Sequence, residues 1–246
     1  MRLLATFIVL AFFVRAEAPQ KIEKVCSGED VEFFGLTCSE DDPCPVFLEL
    51  AAVEANGSSL FLTGNLHTVN TTLFALLLKS EDAGKTWTEP SKRIRSAALE
   101  QIQFADFQHG WISGVKLEPL PRDPFFMTTM DGGKTWQPGP MFKETHFGSI
   151  QQFWFESATN GQLILDASQG RTKRFELYET KTGGASWEAL GDSPHETQLA
   201  QARPKEYSTL RVRADAEAYR VERKTAPNAD TWETIASFAI HAGDCR

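Results

Sequence analysis

The chain has 246 residues, enough for one sizeable domain, and its 41% content of hydrophobic residues is ordinary for a globular protein. Its formal net charge of −8 at pH 7 argues against a nucleic-acid-binding function, because proteins of that class carry a basic surface. We therefore expect a single folded domain that binds no nucleic acid.

The first 18 residues have the layout of a signal peptide. Arg2 is followed by an apolar run from Leu3 to Val14 and then by small residues. Because the run is too short to cross a bilayer as a stable helix, we expect no stable membrane span after cleavage. Cleavage is predicted after Ala16 or Ala18, which leaves one domain over residues 19–246 in a secreted or periplasmic protein. An uncleaved membrane anchor is the alternative.

Four cysteines follow, at Cys26, Cys38, Cys44 and Cys245. An even number of cysteines in an exported chain favours two disulfides over a metal site, because the compartment is oxidising. The favoured pairing is Cys38–Cys44, around a short loop, and Cys26–Cys245, between the two chain ends. A bond from Cys26 to Cys38 or Cys44, with Cys245 free, is the alternative.

An octet that begins with Ser or Thr and ends with Trp occurs four times. It reads SEDAGKTW at Ser80–Trp87, TMDGGKTW at Thr129–Trp136, TKTGGASW at Thr180–Trp187 and, in worn form, TAPNADTW at Thr225–Trp232. The tryptophans are spaced by about 45 to 50 residues, which is the length of a four-stranded propeller blade. Apolar and charged residues alternate between the octets, as in LRVRADAEAYRVERK from Leu210 to Lys224.

These features predict an all-β fold, a small β-propeller of about four blades with four strands in each blade. A fifth blade is expected if residues 26–50 complete one. No segment after residue 18 shows a helical period of useful length. Since neighbouring blades bury each other's faces, the repeats should pack side by side around one axis.

The composition of the octet is typical of a tight turn between strands. Gly132 and Gly133 tolerate positive φ, Asp131 can accept hydrogen bonds from its own turn, and Trp136 can cover the apolar side of the turn. A calcium loop is the alternative, but one carboxylate is few for a cation that takes about six to eight oxygens. The octet residues assigned a structural role are Ser80, Asp82, Gly84, Thr86, Trp87, Thr129, Asp131, Gly133, Thr135, Trp136, Thr180, Gly184, Ser186, Trp187 and Trp232.

The octets resemble the Asp-box, or BNR repeat, of pattern Ser/Thr-x-Asp-x-Gly-x-Thr/Ser-Trp. The match is full at Ser80–Trp87 and Thr129–Trp136, partial at Thr180–Trp187 and weak at Thr225–Trp232. Asp-boxes occur in propellers of the sialidase and sortilin type, at outer hairpins away from the central site. The run FADFQHGWISG, followed by TTMDGGKTW, looks like the blades of photosystem II stability and assembly factor propellers. The resemblance covers about residues 45–235 and implies a blade architecture rather than an activity.

A sialidase would carry an arginine triad, an Arg-Ile-Pro motif, a Tyr/Glu pair and usually six blades. The sequence has no Arg-Ile-Pro, and three octets with one relic indicate fewer blades. No two histidines have metal-ligand spacing, and there is no Gly-x-Ser-x-Gly motif. Glycosidases need paired carboxylates, but Asp41, Asp42 and Asp106 are interpreted more simply as turn residues. We therefore predict no catalytic residue, no cofactor and no metal.

Two features are candidate binding determinants. Trp154 stands in the aromatic run Phe153–Phe155, which favours a buried strand but offers a stacking platform for a sugar or pigment. Arg171 and Arg174 belong to a group of arginines in the last two repeats, interpreted as exposed strand faces or as a positive patch for an anionic partner. The favoured function is a non-catalytic scaffold for an unknown protein or carbohydrate ligand. The alternatives are a sialidase-like glycoside hydrolase and a photosystem assembly factor-like protein.

Overall fold

The computed structural model describes residues 18–24, 26–118, 120–200 and 209–246. The predicted signal peptide falls almost entirely outside these residues. Among the residues described, no helix is long and apolar enough to cross a membrane.

One short helix, α1 (Gly28–Phe33), precedes a series of strands. The strands are β1 (Cys44–Asn56), β2 (Ser59–His67), β3 (Thr72–Ser80), β4 (Ile94–Arg95), β5 (Ala97–Phe104), β6 (Gly110–Leu117), β7 (Pro121–Thr129), β8 (Gln137–Pro140), β9 (Ser149–Phe155), β10 (Gly161–Asp166), β11 (Phe175–Thr180), β12 (Glu188–Ser193), β13 (Leu210–Ala214), β14 (Ala218–Lys224), β15 (Trp232–Ala239) and β16 (His241–Cys245).

The strands form four antiparallel sheets, which are the blades of a small β-propeller. Blade 1 is β1 to β4 with β16 added beside β1, blade 2 is β5 to β8, blade 3 is β9 to β12, and blade 4 is β13 to β15. The predicted all-β class and the count of about four blades are confirmed. No fifth blade forms from residues 26–50, because residues 28–33 are helical and Cys44 already begins β1.

Hydrophobic clusters join three pairs of neighbouring blades. Phe61 of blade 1 packs with Trp136 of blade 2, and Phe126 of blade 2 packs with Phe155 of blade 3. A third cluster brings Phe238 of blade 4 into the core of blade 1. These three clusters bury facing sheet surfaces, which is the main stabilising term of stacked blades.

Buried side-chain amides add directional contacts between the same blades. Asn65 of β2 accepts a hydrogen bond from the backbone N–H of Leu99 in β5 at 2.9 Å. Gln103 of β5 donates to the Phe155 carbonyl at 2.7 Å and accepts from the Phe155 N–H at 2.8 Å. Since buried amides are costly when unpaired, these bonds fix the register of one blade against the next.

The junction between blades 3 and 4 differs from the other three. Within the described ranges, no hydrophobic cluster spans it. The outward face of blade 3 carries Ile164 and Phe175, which are covered by Leu199 from the connection that leaves the blade. In blade 4 the worn octet connects β14 to β15, the second and third strands of the described sheet, whereas the other octets connect the third and fourth.

The chain ends fasten blade 4 to blade 1. β16 pairs with the start of β1 opposite Cys44, and Gln20 forms a parallel bridge to Phe238 of β15. A disulfide joins Cys26 to Cys245, and a second disulfide joins Cys38 to Cys44. This is the pairing that the sequence favours, and it leaves no free cysteine in the described chain.

Helix α1 has no counterpart among the sequence predictions, because it is only six residues long. Ser27 and Asp30 form a capping box at its start. Asp30 is buried and pairs with Lys24 at 2.8 Å and with Arg95 of β4 at 3.1 Å. The helix is thereby held against the outer edge of blade 1.

Candidate functional sites

In the second octet, both carboxylate oxygens of Asp131 accept hydrogen bonds from residues of the same octet. Oδ1 of Asp131 accepts from the backbone N–H groups of Lys134 and Thr135 and from the Thr129 hydroxyl, at 2.8 to 3.0 Å. Its Oδ2 accepts from the Thr135 hydroxyl at 2.7 Å, and the Thr129 hydroxyl accepts from the Gly133 N–H. These bonds, above all the one from the Thr135 hydroxyl, lower the pKa of Asp131 to about 2.

The first octet repeats this arrangement and the third adapts it. Ser80 and Thr86 bind Asp82 at 2.9 and 2.6 Å. In the third octet the hydroxyl of Thr182 takes the place of the carboxylate and accepts from the Ser186 N–H at 2.9 Å. No group of three or more His, Cys, Asp or Glu side chains in the described residues is arranged to hold a metal ion.

Each octet tryptophan of blades 1 to 3 packs against a phenylalanine of the preceding blade. The pairs and their ring-centroid distances are Trp87–Phe238 at 5.6 Å, Trp136–Phe61 at 6.0 Å and Trp187–Phe126 at 5.5 Å. A glycine is required beside this contact in the second octet: Gly133 has φ of 81°, and a Cβ there would lie 2.3 Å from the Phe61 ring. The fourth octet departs from the pattern, because Trp232 stacks on Arg211 of its own blade.

The structure does not bring the three candidate binding residues together. Trp154 pairs with Gln162 near the octet end of blade 3, and its partly buried ring packs on the outward face of that blade. Arg171 and Arg174 lie at the opposite end, on the β10–β11 hairpin. Arg174 pairs with Glu176, so part of the expected positive charge is compensated within the blade.

Glu176 is the centre of a polar cluster that no sequence motif predicts. Although only 7% exposed, its carboxylate lies 3.0 Å from Nε of Arg174 and 3.1 Å from Nε2 of His146. The Tyr178 hydroxyl donates to the same carboxylate at 2.7 Å. Burial and the neighbouring carboxylate raise the pKa of Tyr178 well above its usual value, so this Tyr/Glu pair is poorly suited to nucleophilic chemistry.

Glu100 is a second acidic residue that belongs to no recognisable sequence motif. It lies on β5, and Glu49 lies on the facing strand β1 of blade 1. Burial, together with the charge of Glu49, raises the pKa of Glu100 to about 7. The carboxyl group is therefore partly protonated near neutral pH.

The octet end of blade 2 exposes two large apolar side chains on adjoining turns. Phe107 is 78% exposed and Met130 is 76% exposed. The turns are joined by a hydrogen bond from the Gly132 N–H to the Gln108 carbonyl at 2.9 Å. The two exposed apolar side chains on neighbouring turns make this end of blade 2 a candidate interaction surface.

No protein-family model matches the sequence, and no curated protein matches it. Solved structures of YCF48 are similar to part of it. YCF48 bound to D1 peptide aligns with a TM-score of 0.42 at 20% identity, over 78% of this chain and 54% of that one. YCF48 from Cyanidioschyzon merolae aligns with a TM-score of 0.37 at 19% identity, over 78% of this chain and 56% of that one. The chain thus spans about half the length of these structures, and the likeness concerns the fold alone.

Proposed function

We propose that this protein is an exported, non-catalytic β-propeller that binds a protein partner through the octet end of blade 2. The observation that carries the proposal is the exposure of Phe107 and Met130 on adjoining turns. Exposed aromatic and methionine side chains supply much of the binding energy at protein interfaces. Two disulfides support an oxidising compartment, in keeping with export.

The turn that carries Phe107 is held rigidly. Asp106 accepts hydrogen bonds from the backbone N–H groups of Gln108 and His109 at 2.7 Å. The side-chain amide of Asn56 in blade 1 donates to the Phe107 carbonyl at 3.1 Å. Because the backbone is already ordered, a partner that covers the ring loses little conformational entropy.

A scaffold is favoured over a glycoside hydrolase by the state of the carboxylates. The octet aspartates are committed to their own turns, and Glu176 is engaged by three donor side chains. The buried Tyr178 has a raised pKa, which is opposite to what an activated phenolic nucleophile requires.

The proposal is tested by site-specific photocrosslinking. A benzophenone amino acid is placed at position 107, with a matched control at Val69, which is 76% exposed on the β2–β3 turn at the other end of the propeller. We expect adducts with a defined envelope protein from position 107 and none from position 69. Excess unlabelled protein should suppress the adducts, whereas excess Phe107→Asp protein should not. Equal labelling from both positions, or equal competition by the variant, would refute the proposal.

A further inference from the structure

A polar cleft of about 510 Å³ lies at the end of the propeller opposite the octets. One wall is the connection from β8 to β9 at residues 145–147, and the other is the β10–β11 hairpin, with Glu176 between them. This volume falls within the range of about 300 to 1,000 Å³ that is usual for small-molecule sites.

Both walls are fixed before any ligand arrives. Asp123, a non-glycine residue with φ of 49°, donates its N–H to the His146 carbonyl and accepts from the His146 N–H. On the other wall Gln169 and Thr172 exchange two backbone hydrogen bonds at 3.0 Å. Gly148, with φ of 132°, lets the connection approach the end of β10, because a Cβ there would lie 2.5 Å from the Asp166 carbonyl oxygen. Because these contacts already order both walls, a ligand that enters the cleft loses little binding energy to ordering them.

The cleft offers polar groups but little net charge. Nε of Arg174 lies 3.0 Å from the Glu176 carboxylate and 3.7 Å from the Asp192 carboxylate, so the positive charge of Arg174 is compensated. Among the described residues, Nδ1 of His146 and the terminal nitrogens of Arg174 make no hydrogen bond. Donors and acceptors therefore stand side by side in a nearly neutral site, which suits hydroxyl groups that donate and accept at once.

An aromatic edge completes the cleft. The Phe147 ring is 44% exposed at the rim. Below it the His146 ring stacks on Phe142 with a centroid distance of 4.2 Å, which fixes the orientation of the imidazole. An exposed ring beside polar groups provides an apolar surface for the C–H face of a ligand.

We propose that this cleft binds a neutral mono- or oligosaccharide. Its hydroxyls bind the terminal nitrogens of Arg174, Nδ1 of His146 and the Thr172 hydroxyl, and one sugar ring packs against Phe147. The site is separate from the surface around Phe107, so it stands or falls independently of the protein-binding function.

The test is a titration of the intact protein with neutral saccharides. The panel contains methyl glycosides of glucose, galactose, mannose and N-acetylglucosamine, together with maltotriose and cellotriose. Saturation-transfer NMR and calorimetry are carried to about 10 mM, because weak single-site affinities are near the millimolar range. We expect at least one saccharide to bind with one-to-one stoichiometry.

Variants at the rim locate the site. Phe147→Ala should weaken binding by about three- to tenfold, the usual effect of losing one aromatic contact. Thr172→Val, which keeps the side-chain shape, should weaken it by a similar factor if the hydroxyl binds the ligand. Phe33→Ala removes an exposed ring on α1, away from both the cleft and Phe107, and is the matched control, which should bind as the wild type does. Unchanged melting temperatures of the rim variants exclude misfolding.

Several results would overturn the proposal. These are the absence of binding by every saccharide in the panel, and binding that survives both Phe147→Ala and Thr172→Val. Binding of a short Asp/Glu-rich peptide that is lost in Arg174→Gln, without saccharide binding, would assign the cleft to an anionic ligand and would equally overturn it.

Discussion

The same octet has different surroundings in blade 2 and blade 4. In blade 2, Gly133 and Trp136 lie directly against Phe61 of blade 1, so the turn helps to seal the junction between blades. In blade 4 the corresponding positions are Ala229 and Trp232, and Trp232 stacks on an arginine of its own sheet. The glycine and the buried tryptophan are therefore needed where a preceding blade presses on the turn. The octet of blade 4 lacks both glycines and the aspartate of the second octet. Within the described residues, no hydrophobic cluster spans the junction between this blade and blade 3.

Blade 4 is instead secured on its other side. The Cys26–Cys245 disulfide, the β16–β1 pairing and the bridge from Gln20 to β15 all connect the two chain ends to blades 4 and 1. Trp87 of blade 1 adds a ring contact to Phe238. The disulfide and the strand pairing between blades 4 and 1 thus compensate for the hydrophobic packing that the described part of blade 4 lacks on its side toward blade 3.

The largest difference between the two blades is expected when their octet tryptophans are truncated. Trp136 is 5% exposed, so Trp136→Ala should lower the free energy of unfolding by about 3 to 5 kcal/mol. Trp232→Ala removes a half-buried ring and its cation–π contacts with Arg211 and Lys224, and should cost only about 1 to 2 kcal/mol. Urea denaturation of both variants measures the difference. Equal losses would show that blade 4 uses its octet as blade 2 does.

Removal of the disulfides tests where the ring is closed. The Cys26–Cys245 bond restricts the unfolded chain over a separation of 219 residues, whereas Cys38–Cys44 spans only 6. In the chain-entropy model the double variant Cys26→Ser/Cys245→Ser should lose about 5 kcal/mol, and Cys38→Ser/Cys44→Ser about 2 kcal/mol. Thermal and urea unfolding would contradict this expectation if the short loop proved the more stabilising.

The repeat made the fold predictable from the sequence, because each octet is a local device whose hydrogen bonds close within eight residues. Asp131 and Thr135 bind each other wherever the turn is placed. The spacing of the tryptophans then gives the blade length. Cysteine parity and the separation of chain ends were sufficient to favour the observed disulfide pairing.

The polar cleft could not be predicted in the same way. His146 and Glu176 are 30 residues apart and meet only because one blade connection crosses the end of the next blade. Glu100 has no unusual neighbour in sequence, and its raised pKa comes from burial between two inner strands. The sequence predicts a turn at Asp106 and Phe107, but the exposure of the Phe107 side chain depends on the hydrogen bonds that orient this turn. Such features arise from tertiary contacts, which a local sequence pattern does not encode.

Glu100 lies at the junction of blades 1 and 2, so its ionisation tests how well that junction excludes water. Its folded-state pKa of about 7 lies above the ordinary glutamate value of 4.5, so its stabilising contribution is complete below about pH 4.5 and is lost as pH rises through about 7. Glu100→Gln should therefore stabilise the protein by about 1 to 3 kcal/mol at pH 8 and much less at pH 5. Urea midpoints at the two pH values measure this. An equal effect at both would mean that the carboxyl is not desolvated.

Asp131→Thr gives the second octet the side chain that the third octet has at Thr182, and it sets the smallest expected effect. The folded-state pKa of Asp131 is about 2, below the ordinary aspartate value of 3.8, chiefly because the Thr135 hydroxyl donates to its carboxylate. Its contribution is therefore present above about pH 4 and is lost as pH falls through about 2. We expect the wild type to lose more stability than the variant between these pH values, as followed by urea midpoints, while Asp82 preserves part of the acid dependence in both proteins. Parallel acid profiles would mean that hydroxyl and carboxylate serve this turn equally, and would make the third octet a full equivalent of the second.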